Sequence, residues 1–393
     1  MADGIQSWSS LPPELLELIG KFLDSRIDYL RFRSVCTSWR SSVRSFTNRS
    51  PLLPVKVPYS FPDCFLSQST IYRLELINPS ATSLNCSSPP QKKSWLVRIE
   101  ESENGKLKLL SPLLPGKVSQ ESHRATLNLL NVKAVELNRA WTIKDESFAA
   151  LTLGIDKVVV YPNPTRHIRE NSEFSILAIY GGGKLGFWKM GDEEWSLLDD
   201  VNFHYDDIVV RRGQYYVVDR WGTIFWIDSS LKLIQYSPPL YGCGGRKYLL
   251  ESEGSLHVVD GYLDGGRLNW KDYENRISML MRQRGSGSVL GRPRRHHKVE
   301  PKAVGFRVHK LDEEWGEWVD VKSLIQHVFV LGYFCSFSVS TAEFSGCRGN
   351  CIYFADGTET YGAPTSCLFK LEDRSIGTLG SLPEYSRIFW LGC

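Results

Sequence analysis

Gly254-Ser255-Leu256-His257-Val258-Val259-Asp260 is an apolar run opened by a glycine and closed by an aspartate. The plan returns in Gly213-Gln214-Tyr215-Tyr216-Val217-Val218-Asp219 and, one residue longer, in Gly349-Asn350-Cys351-Ile352-Tyr353-Phe354-Ala355-Asp356. β-Branched and aromatic residues bounded by turn formers predict a short strand. A second element repeats as well. Phe187-Trp188-Lys189-Met190-Gly191-Asp192-Glu193-Glu194-Trp195 matches Val308-His309-Lys310-Leu311-Asp312-Glu313-Glu314-Trp315, and Leu368-Phe369-Lys370-Leu371-Glu372-Asp373 is a shorter echo. Each carries an apolar strand into an acidic turn. Asp219 and Asp260 lie 41 residues apart, the length of one four-stranded unit. Units of this kind bury their faces against one another around a ring, so the pattern predicts a β-propeller over residues 71–393. Five to seven blades fit, and about six is the expectation. An open β-sandwich accounts for the alternation but leaves the two recurring elements as coincidence.

Upstream, Trp95–Glu101 and Lys106–Leu110 flank Asn104-Gly105, a turn suited to the twist of antiparallel strands. Asn78–Pro90, rich in Ser, Pro and Asn, reads as a loop. Residues 49–70 contain Pro51-Leu52-Leu53-Pro54-Val55-Lys56-Val57-Pro58 and read as an extended linker, since no helix continues through such spacing. Before the linker the periodicity is helical. Leu11, Leu15, Ile19 and Phe22 recur on one face, Leu16 and Leu23 widen it, and Pro12 and Pro13 occupy the first turn. Ser25-Arg26-Ile27-Asp28 reads as a capping box opening a second helix through Leu30. Val35, Cys36, Trp39 and Val43 form the apolar side of a third. About forty residues in three short helices cannot build a self-sufficient core. The leftover apolar face must be covered by something else.

The order of these residues resembles the F-box. A Leu-Pro pair, a Leu-Leu helix and a closing Val35-Cys36-Thr37-Ser38-Trp39-Arg40 follow one another from Leu11 to about Val43. Thr37 departs from the family, which often carries a basic residue there. The resemblance implies a module over residues 8–48 that binds the Skp adaptor of a Skp–cullin–F-box ubiquitin ligase. By motif position the surface comprises Leu11, Pro12, Leu15, Leu16, Ile19, Leu30, Val35, Cys36 and Trp39. An ordinary helical cap on the rest of the chain is the plain alternative. Further on, Leu331-Gly332-Tyr333-Phe334-Cys335-Ser336-Phe337-Ser338-Val339 and Gly346–Asp356 resemble the C-terminal domain of a large plant family. Those proteins join an F-box to a kelch-like propeller. The fold expected is therefore α+β and multidomain, a small three-helix F-box followed by an all-β propeller.

Composition fits that outline. With 393 residues, 42% apolar and 23% charged, the chain has the make-up of a folded globular protein. Neither a secretory signal nor a membrane span is expected. Nine cysteines, an odd number without a framework, point to a reducing compartment, nucleus and/or cytoplasm. The net charge of +3 is unevenly placed. Residues 282–302 hold seven Lys or Arg against Glu300, a local +6 that leaves −3 elsewhere. This basic insertion reads first as a solvated loop and second as a nuclear import signal through Arg292, Arg294, Arg295 and Lys298. It lacks interleaved aromatics for stacking bases, so nucleic acid is disfavoured.

Patterns of catalysis are wanting. Gly181-Gly182-Gly183-Lys184 lacks the Ser or Thr of a phosphate loop and reads as a hairpin turn, and Gly285–Gly291 as a flexible loop. Cys335, Cys347, Cys351 and Cys367 lack paired zinc knuckles and read as core residues. Acid clusters recur at strand turns, the ordinary place for solvated charge. No cofactor or metal is expected. The chain reads as a non-catalytic adaptor subunit whose propeller selects a protein substrate for ubiquitination. A ligase of this kind needs proximity rather than a nucleophile of its own. A propeller enzyme or carbohydrate-binding module with an incidental helical cap is the alternative.

Overall fold

The structure is a computed structural model that describes residues 8–23, 26–43, 64–77, 93–101, 107–114, 131–145, 155–162, 173–199, 204–242, 244–264, 302–344, 347–357 and 365–389. The basic run at Arg292, Arg294, Arg295 and Lys298, the Asn78–Pro90 loop and Gly285–Gly291 lie outside the described residues.

Three helices come first, α1 (Pro13–Lys21), α2 (Arg26–Ser34) and α3 (Thr37–Ser42). Five sheets follow. Blade 1 holds β1 (Cys64–Leu76), β2 (Ser94–Glu101), β3 (Leu107–Leu110) and β4 (Val132–Asp145), in the order β3-β2-β1-β4. Blade 2 is β5 (Ile155–Tyr161), β6 (Ser175–Tyr180), β7 (Lys184–Lys189) and β8 (Ser196–Leu197). Blade 3 is β9 (Tyr205–Arg211), β10 (Gln214–Asp219), β11 (Ile224–Ile227) and β12 (Leu233–Gln235). Blade 4 is β13 (Arg246–Ser252), β14 (Ser255–Leu263), β15 (Ala303–Asp312) and β16 (Glu317–Val321). Blade 5 is five-stranded, ordered β18-β17-β19-β20-β21, with β17 (His327–Leu331), β18 (Ser336–Ser340), β19 (Cys351–Asp356), β20 (Thr365–Lys370) and β21 (Ile376–Thr378). The described residues thus form five blades, at the lower end of the expected five to seven.

The ring closes through its cores. One apolar cluster joins blades 1 and 2 around Leu66, Ile143 and Ile176, another joins blades 2 and 3 around Leu177 and Val217, and a third joins blades 3 and 4 around Val218 and Val258. Phe329, Ile352 and Val259 link blades 4 and 5, and Ile71, Leu96, Val330 and Tyr353 bring blade 5 back to blade 1. The C-terminal stretch seals this last joint, where Leu96 N–H donates to Ile388 O at 2.6 Å. Alternation explains the assignment: successive residues of a buried strand serve opposite faces, here two different interblade cores. In β10, Tyr215 and Val217 face blade 2 while Tyr216 and Val218 face blade 4.

Both sequence repeats fall at equivalent places. The Gly-to-Asp runs are β10, β14 and β19. The acidic turns join β7 to β8, β15 to β16 and β20 to β21. One aspartate in each is not merely solvated. Asp192 accepts Lys189 N–H at 2.8 Å, Asp312 accepts Glu314 N–H at 3.1 Å, and Asp373 accepts Ser375 N–H at 3.0 Å, each closing its turn. Gly181, Gly182 and Gly183 turn β6 into β7 with φ of 59°, 79° and 130°, a path closed to most side chains. β2 pairs β3 antiparallel, as the Asn104-Gly105 turn predicts. β1 begins at Cys64, within the 49–70 stretch read as a linker, and residues 49–63 lie outside the described residues. Cys64 and Leu66 alternate into the core between blades 1 and 2, a two-residue signal hidden behind the proline run.

Candidate functional site

α1 divides its apolar residues between two faces. Pro13 starts the helix without needing its missing N–H, and Pro12 O accepts Leu16 N–H at 3.1 Å. Leu16 and Gly20 face inward with Leu23 beside them, packing on Tyr29 and Phe32 of α2 and on Val43. Gly20 is required by proximity, since a Cβ there would lie 2.3 Å from Val43 Cγ1. Leu15, Leu18, Ile19 and Phe22 point the other way and are exposed, Phe22 by 75%. Spacings of three and four make this one continuous apolar stripe. Glu17 and Lys21 flank it with an exposed ion pair at 2.9 Å.

α2 has a different task. Tyr29 and Phe32 join the helical core, whereas Ile27, fully buried, inserts among Tyr72, Leu74, Val97 and Ile99 of blade 1. Arg31 donates to Val132 O of β4 and pairs with Asp28 at 2.7 Å. The helical module therefore sits on its own propeller through α2 and leaves the α1 stripe outside that contact.

The nine residues expected to form the surface separate accordingly. Pro12, Leu15, Ile19 and Val35 are exposed, while Leu11, Leu30, Cys36 and Trp39 are half-buried. Leu16 is sealed inside the module's own core. Trp39 packs on Phe32 with ring centroids 4.5 Å apart and donates its indole N–H to Trp8 O at 3.0 Å. Leu16 and Trp39 thus shape the module that presents Leu15 and Ile19. Leu18 and Phe22 were not among the nine, although the i, i+3, i+4, i+7 pattern from Leu15 reaches both.

Two family models divide the chain between them, an F-box-like model over residues 8–47 and the KIB1-4 β-propeller model over residues 59–378. F-box protein SKIP23 of Arabidopsis thaliana is 30% identical over 98% of this chain and 94% of its own length. F-box protein At4g35733 from the same plant is 30% identical over 94% and 93%. The chain belongs to the plant F-box proteins with a KIB1-4 β-propeller. Among solved structures, a protein of unknown function from Bacteroides thetaiotaomicron aligns over 79% of this chain and 75% of its own at a TM-score of 0.28 and 9% identity.

The propeller of this F-box protein has a polar axis. A cavity of about 340 Å³ opens between β4, β5 and β9, lined by Glu136, Arg139, Lys157, Tyr161, Val209 and Ser336. Beside it, Asp207 ties four blades together. Its carboxylate pairs with Lys157 Nζ at 2.6 Å and accepts Ile208 N–H at 2.8 Å, Leu249 N–H at 3.0 Å and Ser336 Oγ at 3.3 Å. A second buried pair, Lys247 with Asp260 at 2.6 Å, is wholly shielded from solvent. These charges are spent on structure.

The cysteines considered as ligands do not converge. Cys335, Cys347 and Cys351 belong to the core between blades 5 and 1, and Cys367 to that between blades 4 and 5. Burial pushes the thiols of Cys335, Cys347 and Cys367 up to about 11 and raises that of Cys351 further, which keeps them protonated.

Proposed function

We propose that this protein is the substrate-recognition subunit of a Skp–cullin–F-box ubiquitin ligase. The single observation that carries the reading is the α1 stripe of Leu15, Leu18, Ile19 and Phe22, left uncovered although the module already has an apolar anchor to its own propeller at Ile27. An aliphatic and aromatic stripe of this kind suits burial against another helical protein. The adaptor takes that face, cullin joins through the adaptor, and the propeller holds a protein to be ubiquitinated. The chain itself then works by positioning, with no bond made by its own side chains. Nucleus and/or cytoplasm is the compartment that goes with this reading.

The test is affinity purification of the tagged full chain from plant cells. The reading expects the adaptor and cullin to be recovered with wild-type protein and lost with Leu15→Asp. Recovery of neither by the wild-type chain, or of both by Leu15→Asp, overturns it.

A further inference from the structure

One rim of blades 3 and 4 carries arginines and aromatic rings in an order that the preceding chemistry does not use. Arg220 lies over the exposed Trp221 at 5.4 Å, Arg246 over Tyr248 at 5.1 Å, and Arg307 over Tyr262 at 5.7 Å. Arg220 follows the end of β10, Arg246 opens β13, and Arg307 lies in β15 opposite Asp260, toward the end of β14. Among the described residues none of the three guanidinium groups is in an ion pair with a carboxylate. Stacking occupies the face of a guanidinium and leaves its donor edge open to an incoming acid.

Three acids of this rim are engaged by backbone donors, Asp206 and Asp219 buried and Asp264 exposed. Asp219 accepts Trp221 N–H and Thr223 N–H, both at 2.9 Å, Asp206 accepts Lys247 N–H at 2.9 Å, and Asp264 accepts Lys302 N–H at 2.6 Å. Tyr248, and after it Asp206, Asp156 and Asp207, lend negative field to Arg246.

The rim is also built to hold its shape. Lys247 Nζ donates to Gly242 O and Gly244 O at 3.3 and 3.1 Å, and Asp260 accepts Gly244 N–H at 3.2 Å, so the buried pair fastens the loop before β13. Gly242 and Gly244 are needed there, since a Cβ on either would strike the Asp260 carboxylate at 2.3 or 2.0 Å. At the loop's tip Tyr241 is 75% exposed in a left-handed conformation, φ 52°, that non-glycine residues seldom adopt. Its N–H donates to Trp221 O at 3.0 Å, which joins the backbone of the two segments that carry these exposed rings. A strained, fastened loop that offers an aromatic ring to water is organised for contact.

We infer that this rim, with Trp221 and Tyr241 as anchors and Arg220 and Arg307 as the charge, docks an acidic peptide segment of a partner protein that places an aromatic residue between carboxylates. The inference rests on the reading that the propeller holds a protein substrate, and it adds where and by what chemistry.

The probe is a fluorescein-labelled synthetic peptide, Glu-Asp-Trp-Glu-Asp-Phe-Glu, titrated with the full-length protein and followed by polarisation. Its counterpart has Gln and Asn in place of every acid. The acidic peptide is expected to bind at least about tenfold more tightly than the amide version, and to weaken as salt rises. Trp221→Ala should weaken it by about tenfold or more, and Arg220→Ala and Arg307→Ala by several-fold each. Arg220→Lys, which keeps charge but loses the planar stack, should fall between. Equal binding of the two peptides, no saturation up to 1 mM (an order-of-magnitude ceiling for specific recognition), or Ala variants that bind like wild type would each overturn the inference. Co-purification of the same variants with the adaptor separates the two readings, because rim substitutions should leave it intact.

Discussion

Replacing Asp207 with Asn should loosen the propeller at its axis. The carboxylate is 2% exposed and serves Lys157, Ile208, Leu249 and Ser336, which come from blades 2, 3, 4 and 5. Asparagine keeps the shape and one acceptor. It leaves the Lys157 ammonium, 8% exposed, without its counter-charge and turns an N–H₂ toward groups that donate. Breaking one side of a buried pair in this way costs about 3–5 kcal/mol. Set against a total stability of about 5–15 kcal/mol, that is a large fraction. The assay is urea unfolding of the full chain followed by tryptophan fluorescence, with m-values compared to confirm that the same transition is seen. Asp207→Asn should lower stability by about 3–5 kcal/mol, and Lys157→Met added to it should recover part of the loss by removing the stranded charge. A cost below about 1 kcal/mol, or a double variant no more stable than the single, would refute the argument that this pair holds the blades together.

Two further outcomes follow from local geometry. Gly20→Ala gains about 1 kcal/mol of helix propensity, yet its methyl would lie 2.3 Å from Val43 Cγ1, and such overpacking costs about 1–3 kcal/mol. The net result should be faster amide exchange in α1 and α3, relieved by adding Val43→Ala; unchanged exchange would show that the helices part without strain. Burial holds the imidazole of His257 below its usual range, with Nδ1 3.1 Å from Ser255 O and the ring 5.5 Å from that of Phe329. The folded state favours the neutral ring, so this contribution is present above about pH 6.5 and is lost as pH falls, by at most about 1.4 kcal/mol per pH unit. Between pH 7.5 and 5.5 the urea midpoint of wild type should drop more than that of His257→Gln, and equal drops would remove His257 from the account; His309, also lowered by burial, acts in the same direction.

Much of this architecture is visible in local sequence. Asn104-Gly105 marks the first hairpin, the Gly-to-Asp runs mark β10, β14 and β19, and Leu11 to Val43 marks the helical module, because turns and periodicity are properties of neighbouring residues. What stayed hidden depends on residues far apart in the chain. α2 looks weakly amphipathic because its nine residues serve two partners, the helical core through Phe32 and blade 1 through Ile27. Leu15 and Leu16 are equivalent as letters, and only the position of Val43 and Phe32 decides which of them faces water. Asp207 becomes a junction only when β5, β9, β13 and β18 converge on the axis. In the same way Arg220 and Arg307 share a rim only after blades 3 and 4 are packed.

In the reading proposed above, the outer face of α1 binds an adaptor. Titrating the purified full chain with purified Skp-type adaptor, by calorimetry, tests it most directly. Wild type should bind, Leu15→Asp and Ile19→Asp should each lose at least about a hundredfold in affinity while the propeller unfolds at an unchanged urea midpoint, and Arg220→Ala should bind like wild type. Undiminished binding by both α1 variants would contradict the account.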